Sequence, residues 1–161
     1  MKYQEDLDNA KEHEAELKVF LKRLIKKKPR NLDDLFQDAH EKAFQKIDCL
    51  NCGNCCKTTS PIFRDIDVKR ISKKLKCSTK EFENTYLKRD EDEDLILKTA
   101  PCAFLSDDNS CSIYDIRPQA CREYPHTDRK KVVQVMELTE KNMLICPAVS
   151  RILFNVKEDL L

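Results

Sequence analysis

The chemistry this 161-residue chain could do is concentrated in its nine cysteines. The densest stretch is Cys49-Leu50-Asn51-Cys52-Gly53-Asn54-Cys55-Cys56, two overlapping Cys-x-x-Cys pairs followed by an adjacent thiol. Such a pair works as a metal knuckle because a tight turn aims two thiolates at one ion while backbone N–H groups face the sulfurs. The turn needs a left-handed residue just after the second cysteine, and glycine adopts that conformation without steric cost. Gly53, the only glycine of the chain, stands there. The other thiols are Cys77, Cys102, Cys111, Cys121 and Cys146. Cys77 sits alone in an amphipathic pattern and is expected to be a small buried hydrophobe. The expected metal ligands are the remaining eight: Cys49, Cys52, Cys55, Cys56, Cys102, Cys111, Cys121 and Cys146.

Two ligand schemes use them. Eight thiolates make two tetrahedral four-cysteine zinc sites. Alternatively, Cys49-x-x-Cys52-x-x-Cys55 matches the first three ligands of a bacterial ferredoxin run, whose fourth is a cysteine followed by proline. Thr59 occupies the place of that fourth ligand, so Cys146-Pro147 would have to supply it from the end of the chain. Spacing leaves zinc and an iron–sulfur cluster both open. A structural zinc contributes on the order of 10–16 kcal/mol in small peptides, against about 5–15 kcal/mol for the net stability of a domain. Such a centre could therefore decide whether the domain folds.

Polar companions gather in sequence around Cys121. A cation beside a thiol favours the thiolate, and Arg117, Arg122 and Tyr124 are candidate cofactor-binding or substrate contacts. The plainer reading of Arg122 is a pairing with Asp115 or a helix cap. His126 follows Cys121 at Cys-x4-His spacing but is expected to face solvent rather than ligate. Tyr114 is expected to pack against a hairpin.

The elements that must position these residues are mostly helices. Leu7, Ala10, Leu17, Phe20, Leu21, Leu24 and Ile25 recur at helical spacing up to Pro29. Asn31 is a good N-cap for a second helix carrying Leu32, Leu35, Phe36, Ala39, Ala43, Phe44 and Ile47. Lys22, Arg23, Lys26, Lys27, Lys28 and Arg30 crowd the end of the first helix, where cations suit the dipole, and read as a solvated helix end. Val68, Ile71 and Leu75 mark a helix entered near Asp65 or Asp67. Ser78-Thr79-Lys80-Glu81 has capping-box spacing and opens another, with Phe82, Tyr86 and Leu87 inward. Asp90 to Asp94 is a run of five carboxylates, expected as an exposed loop. Leu95 to Thr99 reads as a strand, paired with Ala103-Phe104-Leu105 and Ser112-Ile113-Tyr114 around the turn Ser106 to Ser110. Val132 to Leu138 is expected as helix, and Pro147 opens a closing helix with Val149, Ile152, Leu153, Val156 and Leu160.

Composition bounds the rest. Lys plus Arg is 30 and Asp plus Glu is 29, a net charge of +1, which argues against a general polyanion binder. One glycine excludes phosphate-cradling loops, which need several. No secretory signal and no membrane-spanning apolar run is visible, so the chain is expected to be cytoplasmic, where disulfides are rare. The expected fold is a single metal-stapled domain, mainly α with a small β-hairpin: an N-terminal helical hairpin over 1–47 and a cysteine-cluster metal-binding domain over 48–161. The expected partners are the metal ion or cluster and a protein docked on residues 1–47, with neither nucleic acid nor membrane.

The ordered motifs Cys49-x-x-Cys52-x-x-Cys55-Cys56, Pro101-Cys102-x-Phe104-Leu105, Cys111-x-Ile113-Tyr114, Arg117-Pro118 and Cys121-Arg122-x-Tyr124-Pro125 resemble those of the CxxCxxCC zinc- or iron-chelating domain family, also called the YkgJ-type cysteine cluster family. The resemblance covers about residues 49–147 and leaves residues 1–47 unexplained. It implies a small cytoplasmic protein that binds a metal or an iron–sulfur cluster. Some larger relatives are flagellin lysine methylases; nothing in this short chain shows a methyl-donor domain. Three functions stay open at this stage: a metal- or cluster-binding protein, an enzyme using the cluster for redox or group transfer, and an adaptor whose metal is only structural.

Overall fold

The structure, a computed structural model, describes residues 1–161. In chain order the elements are α1 (Gln4–Glu12), α2 (Glu14–Lys27), α3 (Leu32–Phe44), α4 (Cys49–Cys52), α5 (Asn54–Thr58), α6 (Asp65–Lys74), α7 (Thr79–Tyr86), β1 (Leu87–Arg89), β2 (Leu95–Leu97), α8 (Gln119–Glu123), α9 (Met136–Asn142) and α10 (Pro147–Asp159). Short 3-10 turns cover Tyr114–Ile116 and Val132–Val135. The chain is mainly α with one small antiparallel hairpin, the class expected from sequence. No helix is long and apolar enough to cross a membrane. Two compact units divide it: residues 1–52 with 125–161, and residues 53–124.

In the first unit the apolar stripes meet as their spacing dictates. Here α10 packs along α3 and α1, and α2 packs against α9. Leu17, Leu21, Phe36, Met136, Met143, Ile152 and Leu153 are fully buried among them. The segment 1–47 therefore shares one core with the C-terminal helices. Its first apolar stripe is two helices rather than one. The break is at His13, whose ring nitrogen Nδ1 lies 3.0 Å from Asn9 O while its own N–H bonds that carbonyl at 3.1 Å. Asn31 is the N-cap of α3 as expected, but its side chain makes no capping bond. Ion pairs tie the ends together: Arg151 grips both carboxylate oxygens of Asp6 at 2.6 and 2.9 Å.

In the second unit Phe63, Val68, Ile71, Phe82, Leu87, Leu95, Leu97, Phe104 and Ile113 form the core. Phe82 is central, with ring contacts to Phe63, Tyr86 and Phe104. The capping box of α7 is formed in both directions: Glu81 N donates to Ser78 Oγ at 3.1 Å and Ser78 N to Glu81 Oε2 at 2.8 Å. Because Ser78 satisfies a helix-end donor that alanine cannot, Ser78→Ala is expected to lower stability by about 1 kcal/mol. A urea midpoint lowered with unchanged slope is the readout.

The strand pairing differs from the sequence expectation. β2 does pair, but with Leu87–Arg89, in the register Leu87 opposite Leu97 and Arg89 opposite Leu95. Residues 103–105 and 112–114 are not strands of this sheet. The reason lies in the carboxylate run, which is the hairpin turn itself. Asp90 Oδ1 accepts from Asp92 N at 2.9 Å and Asp94 N at 3.0 Å, and Asp90 N donates to Asp94 O at 3.0 Å. Aspartate bonds its own following backbone and so turns the chain tightly. Leu87 thus leaves the helix expected for it and enters β1, where it is buried opposite Leu97.

Candidate metal centre

The second unit brings four thiols together from three separate stretches. Cys56 lies on α5, Cys121 on α8, and Cys102 and Cys111 on the two arms of a loop hairpin. That hairpin closes around the expected turn: Ser106 N donates to Ser110 O at 2.8 Å, Ser112 N to Phe104 O at 2.9 Å, and Leu105 bridges Cys111. Cys102 N donates to Cys56 O at 2.7 Å and fixes the hairpin to α5. Cys121 feels the charges of Cys56, Cys102 and Cys111, Cys102 those of Cys56 and Cys111, and Cys111 that of Cys56, so each pair of the four is in electrostatic contact. Cys55 stands beside this group, its thiol hydrogen-bonded to Cys56.

The knuckle works as its glycine requires. Gly53 has φ 58 and ψ 7 and is the N-cap of α5. A Cβ there would sit 2.9 Å from Asn109 Oδ1 and 3.0 Å from Asn109 Cγ, so the Ser106–Ser110 turn rests on the bare glycine. Gly53→Ala meets both a left-handed backbone and this contact. It is expected to cost about 1–3 kcal/mol, read as a fall in thermal midpoint.

The first unit holds a second group. Cys146 is the N-cap of α10, with Pro147 at the first helical turn as expected. It feels the charges of Cys49 and Cys52, which begin and end α4. The N–H groups of Ala148 and Val149 face its sulfur.

Electrostatics describe crowded, half-buried thiols whose cationic neighbours, Arg117 and Lys57, only partly offset burial. Burial, reinforced by Cys56, Cys102 and Cys111, pushes the Cys121 thiol up to about 12, with Arg117 opposing. Burial likewise raises Cys146 to about 12, against the two helix N–H groups that favour its thiolate. Burial raises Cys102 and Cys111 too. Cys56 is the exception: the bond from Cys55 brings it down to about 7 despite burial. A bound cation inverts this logic, because a coordinating thiol is deprotonated outright. None of the nine cysteines is locked in an oxidised bridge. The sulfurs are neighbours rather than a closed shell, since no group of three or more His, Cys, Asp or Glu side chains stands in a geometry that could hold a metal ion. The donor set itself fits zinc or iron in kind: soft sulfur donors, in number enough for more than one ion.

Asp67 frames Cys121, and sequence reasoning missed it as anything more than a helix start. Its side chain is 1% exposed. Oδ2 accepts from Arg64 N at 3.0 Å; Oδ1 accepts from Arg70 Nη2 at 2.8 Å and from Gln119 N, the first residue of α8, at 3.2 Å. Arg70 reaches on to Ile116 O at 3.2 Å and Arg117 O at 2.8 Å. One carboxylate thus ties α6 to the turn and helix that present Cys121. A local Asp-x-x-Arg pair was visible; the partners 46 to 52 residues away left no local signal.

The other expected site residues are distributed as follows. Arg117 Nη1 donates to Tyr114 O at 2.7 Å and its guanidinium lies 4.0 Å from the Tyr114 ring centre. Tyr114 is 47% exposed, so it carries this cation rather than packing inside the hairpin. Arg122 Nη2 donates to Asp115 O at 2.7 Å, a backbone carbonyl rather than the carboxylate expected. Both arginines hold the 114–117 turn, and Arg117 also lowers Cys111 and Cys121 through its charge. Tyr124 follows α8 as its C-cap. His126 has a left-handed backbone, φ 66. Cys77 packs on the second unit's core as a partly buried residue and points its sulfur at Ser72 O, 3.8 Å away.

Searches of curated proteins and of solved structures give no match to the chain. The family model "CxxCxxCC: Putative zinc- or iron-chelating domain" matches residues 48–147, a stretch that includes every cysteine described above. Because that stretch is more than half of the sequence, the chain belongs to the CxxCxxCC family of zinc- or iron-chelating domains.

Proposed function

We propose that the eight thiols of Cys49, Cys52, Cys55, Cys56, Cys102, Cys111, Cys121 and Cys146 are the ligands through which this metal-binding protein holds zinc or an iron–sulfur cluster. One centre is built on Cys56, Cys102, Cys111 and Cys121. A second is built on Cys49, Cys52 and Cys146, and Cys55, hydrogen-bonded to Cys56, stands beside the first as its further donor. The observation that carries the reading is the mutual proximity of the four thiols drawn from residues 56 to 121, each within electrostatic reach of the other three. Burial and mutual repulsion keep Cys102, Cys111 and Cys121 protonated in the absence of a cation, and a bound cation is what would favour all four as thiolates. When bound, the metal supplies cross-linking of separate stretches or, as a cluster, one-electron capacity. Arg117 offsets the negative charge that four thiolates bring, and Asp67 holds the turn that presents Cys121. Nine cysteines without a disulfide suit a reducing, cytoplasmic setting.

The test is to purify the chain without oxygen and measure zinc, iron and acid-labile sulfide per chain, with an absorption spectrum. The reading expects stoichiometric metal: zinc without visible absorption, or iron with matching sulfide and charge-transfer bands. Protein that carries no metal, keeps all its thiols titratable and takes up neither ion on reconstitution would overturn it.

A further inference from the structure

A groove in the first unit is lined by no cysteine or histidine. It has a volume of about 370 Å³ and runs beside α2 toward the end of α10. Its α2 wall is one helical stripe, Glu16, Val19, Phe20, Arg23, Leu24 and Lys27, and Leu160 and Leu161 face it. Leu24 forms its buried floor, whereas Val19 at 68% and Leu161 at 89% exposed are unusually open for aliphatic residues. Its polar members are unequal. Glu16 and Lys157 pair with each other and are satisfied. Arg23 and Lys27 have no carboxylate partner, and between Leu17 and Leu32 there are seven Lys or Arg residues and no Asp or Glu.

We propose that this groove docks an acidic amphipathic helix of a protein partner. Its apolar stripe would lie on Val19, Phe20 and Leu160, and its carboxylates would face Arg23 and Lys27. Charge complementarity selects this occupant. A second copy of the chain would bring another uncompensated cationic helix end onto the first, and like charges juxtaposed across an interface are costly. A bilayer surface is flat, whereas this apolar surface is a furrow between two helices, the shape of helix-in-groove recognition. The stripe from Glu16 to Lys27 is about 16 Å long at 1.5 Å per residue, which fits a partner helix of about three turns. Of the cations at the end of α2, Arg23 and Lys27 are the two that line the groove.

The test uses the full chain and a fluorescein-labelled 15-residue peptide with leucines at helical spacing flanked by glutamates. The same peptide with lysines for glutamates is the control. Binding of the acidic peptide, weakened by salt and absent for the lysine peptide, is expected. Arg23→Glu with Lys27→Glu should raise Kd at least tenfold, and Val19→Asp should do so with the cations intact. Equal binding of the two peptides to the unaltered chain would overturn the proposal, as would indifference to both variants. Preference for phosphatidylserine vesicles over the acidic peptide would overturn it in favour of a membrane surface.

Discussion

Removing bound metal from the native protein is expected to lower its thermal midpoint by about 20 °C or more, or to abolish the cooperative transition. The magnitude follows from two quantities. A structural four-thiolate site contributes on the order of 10–16 kcal/mol in small peptides, and 1 kcal/mol moves the midpoint of a domain this size by about 2–4 °C. The second unit has the structure of a fold that would depend on it. Its core is nine residues around Phe82, and two of the pieces carrying thiols, α5 and α8, are five-residue helices. Helices that short do not stand alone, since isolated helices under about 12–15 residues are marginal in water. Thermal unfolding by circular dichroism, before and after a strong chelator and again after adding the metal back, is the measurement. Reversible loss is expected. An unchanged midpoint in protein shown to have lost its metal would mean that the core alone holds the unit.

Asp67→Ala is expected to cost about 3 kcal/mol and to speed loss of metal. Removing one partner of a buried ion pair typically costs about 3–5 kcal/mol. The lower end applies because the Arg70 side chain is 33% exposed and water takes up part of its charge. The loss also strands the N–H groups of Arg64 and Gln119. Asp65→Ala, two residues earlier and exposed, should stay within about 0.5 kcal/mol. The same carboxylate sets a pH dependence. Burial alone would raise Asp67, but the bonds from Arg64 N, Arg70 and Gln119 N, with the charge of Arg70, outweigh it and hold the carboxyl below the usual aspartate value. A depressed folded value stabilises the native state fully above the unfolded value, about 3.9. That contribution is lost as pH falls through the folded value. Urea midpoints between pH 6 and pH 3 should fall less steeply for Asp67→Asn than for the unaltered chain. Parallel curves would show that Asp67 is not the group responsible.

What the sequence made legible is local. Helical spacing, the Ser78 capping box, Pro147 at the start of α10 and the left-handed Gly53 are each set by neighbours within a few residues, and each is found in the structure. The thiols stood out because residue type and spacing carry the chemistry directly. Their partition was not legible, because it depends on which distant stretches pack together. Cys146 joins Cys49 and Cys52 only because α10 packs in the same unit as the N-terminal helices. The strand pairing failed for a related reason: Leu95 could pair forward or backward, and the side chain of Asp90 decided it. Asp67 was invisible for its role because the groups it satisfies lie far along the chain and are backbone atoms.

The central claim is that thiolates from residues 49 to 146 are the metal's ligands. X-ray absorption at the edge of the metal found in anaerobically purified protein tests it most directly. The account predicts a first shell of about four sulfur neighbours at ~2.3 Å, the distance typical of metal–thiolate bonds, with sulfur lost when Cys121→Ser replaces one of them. A shell of nitrogen and oxygen at ~2.0–2.2 Å, unchanged by that substitution, would contradict it.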